Sequence, residues 1–314
     1  MAFEDLLRTL GESLQADDES AYLLVDPMLR EPLARDFILD SGCEIFPIVM
    51  ASVWLAEHQT PYLVRLRPAA VQTLKASLEA ALREQVDVDV ENDEGFAIGG
   101  WLRSAVEPQL LAKHLARCMT PVGMPAGVRY LRLADRRVFE LIWSISNLAQ
   151  RQEWLGPISQ WWTLDRLNLL VPHTVEQSVA WQLNYLRIDS KRWRRMRNCE
   201  LVQQLLRGWR RFQRELPPDY LQRAANAIEA AQSLELDQAA DIVLLAAYIV
   251  QIHPRLCEHP RVVQLVKSAR QESPNLAQRL SELPDDSWDE IGRELTNMPA
   301  LHQSFDPLTY ASVE

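Results

Sequence analysis

The chain has 314 residues, of which 47% are apolar and 24% charged, a balance that supports real cores and excludes wholesale disorder. A formal net charge of −10 argues against general nucleic-acid binding. The longest unbroken apolar run, residues 242–250, is too short to span a bilayer, so no membrane partner is expected.

Taken in order, the first half alternates helix-like and strand-like segments. Residues 3–14 have helical spacing, and Ala21-Tyr22-Leu23-Leu24-Val25-Asp26 reads as a compact buried strand. A helix is expected from Pro27 to Leu39, ended by Ser41-Gly42, and a short one at 54–58, closed by Pro61. Residues 62–66 read as strand, 69–83 as helix, 96–102 as strand and 108–119 as helix. Residues 128–133 alternate basic and apolar side chains as a strand would. A helix then starts at Asp135 and runs to Leu148, with the Asp placed to cap its N–H groups. After a turn at Leu155-Gly156-Pro157, residues 161–164 read as an edge strand. Such alternation implies a mixed sheet with flanking helices.

Beyond Pro172 no strand signal is evident, and helices punctuated by prolines run to the end. The expected organisation is therefore an α/β lobe over 1–172 and an all-helical lobe over 173–314.

The negative charge hides an asymmetry. Residues 187–214 hold ten basic side chains and two acidic ones, Asp189 and Glu200, so this segment is +8 and the remainder −18. Seven of the ten tryptophans lie between Trp143 and Trp209. In 199–216, Val202, Leu206, Trp209, Phe212 and Leu216 form an apolar stripe, with Arg207, Arg210, Arg211 and Arg214 opposite. A solvated amphipathic helix explains that half of the basic segment. It explains Lys191, Arg192, Trp193, Arg194, Arg195, Met196 and Arg197 less well, because these surround the helix. Trp and Arg dominate binding hot spots, so a partner surface is expected here: Arg192, Trp193, Arg194, Arg195, Arg197, Arg207 and Arg211, with Trp161 and Trp162 from the neighbouring lobe.

No nucleophile elbow, metalloprotease motif, phosphate loop or dinucleotide fingerprint occurs. His253, Cys257 and His259, with His173 as a fourth, supply zinc-type ligands, but without paired spacing a loop with a small buried thiol is the expected reading, and no metal. The acidic run Asp87, Asp89, Glu91, Asp93, Glu94 fails as a calcium loop, since Glu94 and Gly100 stand at its sixth and twelfth positions; a solvated connection is expected. His114 is a candidate general base with no nucleophile tied to it by a motif, and a packed helix histidine is the expected reading. Arg129, Arg132, Asp135, Arg136 and Arg137 suit either an anion at a helix start or a structural ion-pair cluster; the cluster is the expected one. The four cysteines are scattered and expected to be reduced, and residues 1–5 lack the basic start of a signal peptide, so a cytoplasmic location is expected.

Several segments, in order, resemble the effector adaptor chaperones of type VI secretion. Residues 21–26 resemble the family's opening strand, ending at Asp26, and Thr60-Pro61-Tyr62-Leu63-Val64 its Gly-Pro-aromatic-Leu-Val element, with Thr60 for Gly. Residues 110–115 are similar to its Leu-x-x-His-Leu helix, and Leu155-Gly156-Pro157 to its closing Phe-Gly-Pro element. Residues 128–139 resemble its Arg-Phe-Tyr-Asp-Pro-Arg-Val-Leu signature: Arg132, Asp135, Arg137 and Val138 fit, whereas Leu133, Ala134 and Arg136 depart from it. The resemblance implies a cytoplasmic, non-enzymatic adaptor that binds a cognate effector and delivers it to a VgrG or PAAR spike protein, without a cofactor. The alternatives are a hydrolase built around His114 and, less favoured, a nucleic-acid-binding protein using residues 187–214.

Overall fold

A computed structural model describes residues 3–15, 18–86, 88–89, 91, 95–176, 181, 186–212, 215–271 and 275–298. Within them the chain is mixed α/β, with a six-stranded antiparallel sheet in the N-terminal half and only helices beyond it. The strands are β1 (Ser20–Val25), β2 (Glu44–Pro47), β3 (Tyr62–Leu66), β4 (Ile98–Ser104), β5 (Ile158–Leu164) and β6 (Leu170–His173), in the spatial order β2-β3-β1-β4-β5-β6.

Alternation along each strand serves two cores. Tyr22, Leu24, Leu63, Leu102, Ile158 and Trp161 enter one, under α4 (Pro108–Met119), α5 (Arg136–Ile145) and α6 (Leu148–Leu155). Leu23, Val25, Val64, Ile98, Trp101 and Leu164 enter the other, under α1 (Phe3–Leu14) and α3 (Val71–Arg83). A sheet covered on both faces explains why β1 reads as an unbroken apolar run.

Edge and loop segments differ from the sequence expectations. Within 27–39 only α2 (Arg35–Asp40) is helical, because Pro27 and Pro32 interrupt the segment before it; 54–58 contributes only a short 3-10 turn, Glu57–Gln59. Residues 128–133 are not a strand. Leu131 and Leu133 are buried while Arg129 is exposed, so the alternation records one buried face without a ladder. Strands β2 and β6 escaped the reading because both are four residues long and contain a proline. Consequently the sheet extends to His173, past the last strand expected at 161–164, and β5, expected at an edge, lies between β4 and β6. The N–H of Ile48 bonds the Pro61 carbonyl (2.7 Å), so by alternation Pro47 faces away from β3. The Asp165 N–H likewise bonds the Leu169 carbonyl (2.9 Å), which turns Pro172 away from β5. Each outer edge thus presents a residue without a donor, a known defence against strand addition.

By packing the chain divides into two compact units, Met1–Ala225 and Asn226–Glu314. The change from strand to helix at residue 173 is a separate feature. Helices α7 (Ser190–Arg197) and α8 (Cys199–Phe212) belong to the first unit, where both pack against α5. A further helix, α9 (Tyr220–Gln232), spans the division. The second unit is a helical assembly of α10 (Ala239–Gln251), α11 (Pro260–Gln271), α12 (Leu276–Ser281) and α13 (Asp285–Asn297), cored by Leu245, Ile249, Leu256, Val262, Leu280 and Ile291.

The pairing of β1 with β4 shifts register between Leu24 and Val25, leaving Gly99 as a bulge residue. A Cβ at Gly99 would lie 2.4 Å from the Ala134 carbonyl oxygen and 3.0 Å from Leu24, so only glycine lets the 127–135 segment close on the sheet. Gly99→Ala is expected to destabilise the first unit by about 1–3 kcal/mol in urea melts, as overpacked sites do. An unchanged midpoint would mean that the segment is free to retreat.

Candidate functional site

The residues that carried the family resemblance converge. Asp26 directly follows β1, buried, and its carboxylate accepts hydrogen bonds from the Met28 N–H (3.0 Å) and Arg132 Nε (3.0 Å). The Arg132 Nη2 lies 2.9 Å from Asp26 and 4.0 Å from Asp135. Asp135 caps α5, accepting from the Arg137 N–H (3.1 Å), while its Oδ2 takes the Arg137 guanidinium at 2.6 Å. Burial raises Asp26, opposed by Arg132 and reinforced by Asp135. Burial also works against the Asp135 anion, but Arg137 outweighs it and holds that carboxyl below its ordinary range. The cluster is an internally satisfied chain of charges fastening the end of β1 to the start of α5.

Arg136, which departs from the family signature, is one of the largest fully buried side chains. Its guanidinium pairs with Glu84, donates to the carbonyls of Ile98 (2.9 Å) and Ala81 (2.8 Å), and stacks over the Phe96 ring at 3.9 Å. Glu84 in turn accepts from the N–H groups of Ala97 (2.9 Å) and Ile98 (3.2 Å), where β4 begins. An arginine at this position therefore ties α3, β4 and α5 together.

The acidic run holds a second surprise. Glu91, expected in a solvated connection, is fully buried. Arg166, in the β5–β6 turn, binds it with both terminal nitrogens (2.5 and 2.6 Å), and Arg137, Arg207 and Arg210 bring theirs within 3.6–3.8 Å. Burial pushes the Glu91 carboxyl up, yet Arg166, Arg137 and Arg207 together hold it below the ordinary range. Asp89 pairs with Arg211 at 2.5 Å. Asp87, Asp93, Glu94 and Arg214 lie outside the described residues.

These pairings redistribute the expected partner surface. Arg207 is largely covered and committed to Glu91 and Glu200; Arg211 is exposed but paired. Trp161 is in the core, stacked on Phe139 with centroids 3.8 Å apart, and Trp193 is buried against the same core with Met196. Trp162 follows Trp161 on β5, so it faces the opposite side of the sheet, where it is half-buried. The two tryptophans cannot meet one partner together. Arg192 is half-buried and pairs with Asp189 at 3.2 Å, and Arg195 is half-buried. What remains outward is one stripe of α7: Lys191, Arg194 and Arg197, preceded by Arg187, all exposed. Arg187, Arg194 and Arg197 have no ion pair among the described residues.

His114 and Gly156 interlock. A Cβ at Gly156, already at φ +55°, would lie 2.2 Å from the His114 ring. The Nε2 of His114 donates to the Trp154 carbonyl (3.0 Å), and the Cys118 Sγ stands 3.5 Å from the same nitrogen. Sequence motifs gave no sign of this thiol, although it lies one helical turn away. Burial moves the pair towards neutrality, lowering His114 to about 4 and raising the Cys118 thiol, the reverse of a thiolate–imidazolium couple. In the second unit the His259 Nε2 lies 2.7 Å from Glu294, and the His253 Nδ1 accepts from the Arg255 N–H (3.1 Å). Among the described residues no group of three or more His, Cys, Asp or Glu is arranged to hold a metal ion, and no helix is long and apolar enough to cross a membrane.

Two outcomes follow from this charge placement. Glu91→Gln removes the carboxylate that the buried Arg166 holds with both terminal nitrogens, and is expected to cost about 3–5 kcal/mol by denaturant melts, the usual loss on breaking a buried pair; a loss below 1 kcal/mol would show that Arg166 finds another partner. His114 and His173 (lowered to about 3, mainly by burial) stay neutral when folded, while unfolded imidazoles protonate near the ordinary 6.5. The unfolded chain therefore binds more protons, and stability falls as pH drops from about 6.5 towards 4. His114→Gln is expected to reduce that loss by roughly 2 kcal/mol between pH 7 and 4.5, and an unaltered pH slope would refute the assignment.

Against known proteins, no curated protein and no solved structure matches the chain. Residues 21–153, which contain β1 from Ala21, β2 to β4, the Asp26–Arg132–Asp135–Arg137 cluster, Arg136 and His114, match a family model described as a domain of unknown function (DUF4123).

Proposed function

We propose that the chain is a non-catalytic adaptor of type VI secretion, holding a cognate effector for delivery to a VgrG or PAAR spike protein. The matched family is associated with type VI secretion, and the ordered motifs resemble its effector adaptors. The observation that carries the reading is the outer stripe of α7. Lys191, Arg194 and Arg197 recur every third residue on one exposed face, while Trp193 and Met196 anchor the other in the core. Like charges so spaced on a helix repel one another, so the stripe is suited to an acidic partner surface. The motif residues of the matched segment are engaged with each other, a scaffold role that leaves recognition to such surfaces.

Co-expression with the products of the genes flanking its own is the test. The chain is expected to co-purify with one of them, and Arg194→Glu/Arg197→Glu to weaken capture by about 2 kcal/mol, roughly thirtyfold, with an unchanged circular-dichroism melt. Undiminished capture by the folded double variant would move the site off α7. Capture of none of these products would remove the adaptor reading itself.

A further inference from the structure

A second surface lies along the β2 edge of the sheet. Trp54 is 86% exposed and Val49 70%, both in the connection that leaves β2, while α2, which packs beside β2, exposes Phe37 and Leu39. The Arg35 guanidinium ties α2 to this connection, donating to the Glu57 carboxylate (3.3 Å) and the Glu57 carbonyl (3.3 Å) three residues from Trp54. A tryptophan so exposed is a strong candidate binding anchor.

The surroundings specify what would cover it. Residues 31–58 carry five carboxylates, one arginine and no lysine. Glu31, Glu44 and Glu57 have arginine partners, but Asp36 and Asp40, exposed on α2 beside Phe37 and Leu39, have no ion pair among the described residues. Pro47 withholds a donor from the outer edge of β2, which disfavours sheet extension and leaves side chains as the means of engagement. Exposed Trp54 offers its ring face to aliphatic groups and to cations alike. We propose that α2 and the Val49–Trp54 connection form a docking surface for a cationic amphipathic segment of a partner protein, its apolar face on Trp54, Val49, Phe37 and Leu39 and its Lys or Arg groups on Asp36 and Asp40. This surface is separate from the α7 stripe, and its failure leaves the adaptor reading untouched.

The probe is an 18-residue peptide of Lys and Leu at amphipathic helical spacing, with a Glu/Leu peptide of the same pattern as its counterpart, titrated calorimetrically. The Lys/Leu peptide is expected to bind at least tenfold more tightly than the Glu/Leu one. Trp54→Ser and, separately, Asp36→Asn/Asp40→Asn should each weaken it at least tenfold without altering the melt. Asp286→Asn/Asp289→Asn, which removes the same charge from the second unit, should leave binding unchanged. Equal binding of the two peptides, insensitivity to both surface variants, or equal sensitivity to the control variant would overturn the proposal. So would a concentration-dependent self-association in sedimentation that Trp54→Ser abolishes, since the surface would then belong to a second copy of this chain.

Discussion

One buried carboxylate organises the first unit. Glu91 comes from the connection between α3 and β4, yet it collects guanidinium groups from the start of α5, from the β5–β6 turn and from α8. A lone carboxylate in that position would be driven to its neutral form. The bidentate Arg166 and the positive charges around it reverse the outcome, so the anion and its arginines are mutually dependent. This dependence explains why α8 belongs to the first unit although it follows the last strand. It also explains why a segment of +8 in an acidic chain is not one broad basic face: Arg207 and Arg210 turn to the buried Glu91 and Arg211 pairs with Asp89.

Much of the fold was legible because it rests on local periodicity. The buried strand at 21–26, the helices at 3–14 and 108–119, and the loss of strand signal after β6 all follow from side-chain spacing. What failed depended on non-local pairing. Nothing near Glu91 announces Arg166, 75 residues away, and the alternation at 128–133 does not disclose that the slot beside β1 belongs to β4. The misplaced tryptophans are a different case. Trp161 and Trp162 are adjacent on a strand, and period two alone separates their faces. Trp193 lies three residues before Met196, spacing that marks an inward face of α7 and leaves Arg194 and Arg197 outside.

Arg136 stands where the resembled signature has proline, and the junction around it is intact. The Asp cap and Arg137 keep the strand-end-to-helix junction, and the substituted position supplies a buried cation to Glu84 beneath it. The scaffold residues satisfy one another, so surface side chains on α7 and around Trp54 can change with little consequence for the cores.

The sheet order also governs the chain during synthesis. Central β1 is made first, but its neighbours β3 and β4 end at residues 66 and 104. At ribosomal rates of about 5–20 residues per second, Leu23, Leu24 and Val25 wait roughly 4–16 s after emergence of β1 for the second partner. In the finished molecule both outer edges carry prolines, whereas the nascent β1 has none to shield it. The interval of greatest vulnerability to misassembly therefore belongs to translation, before the native edges exist.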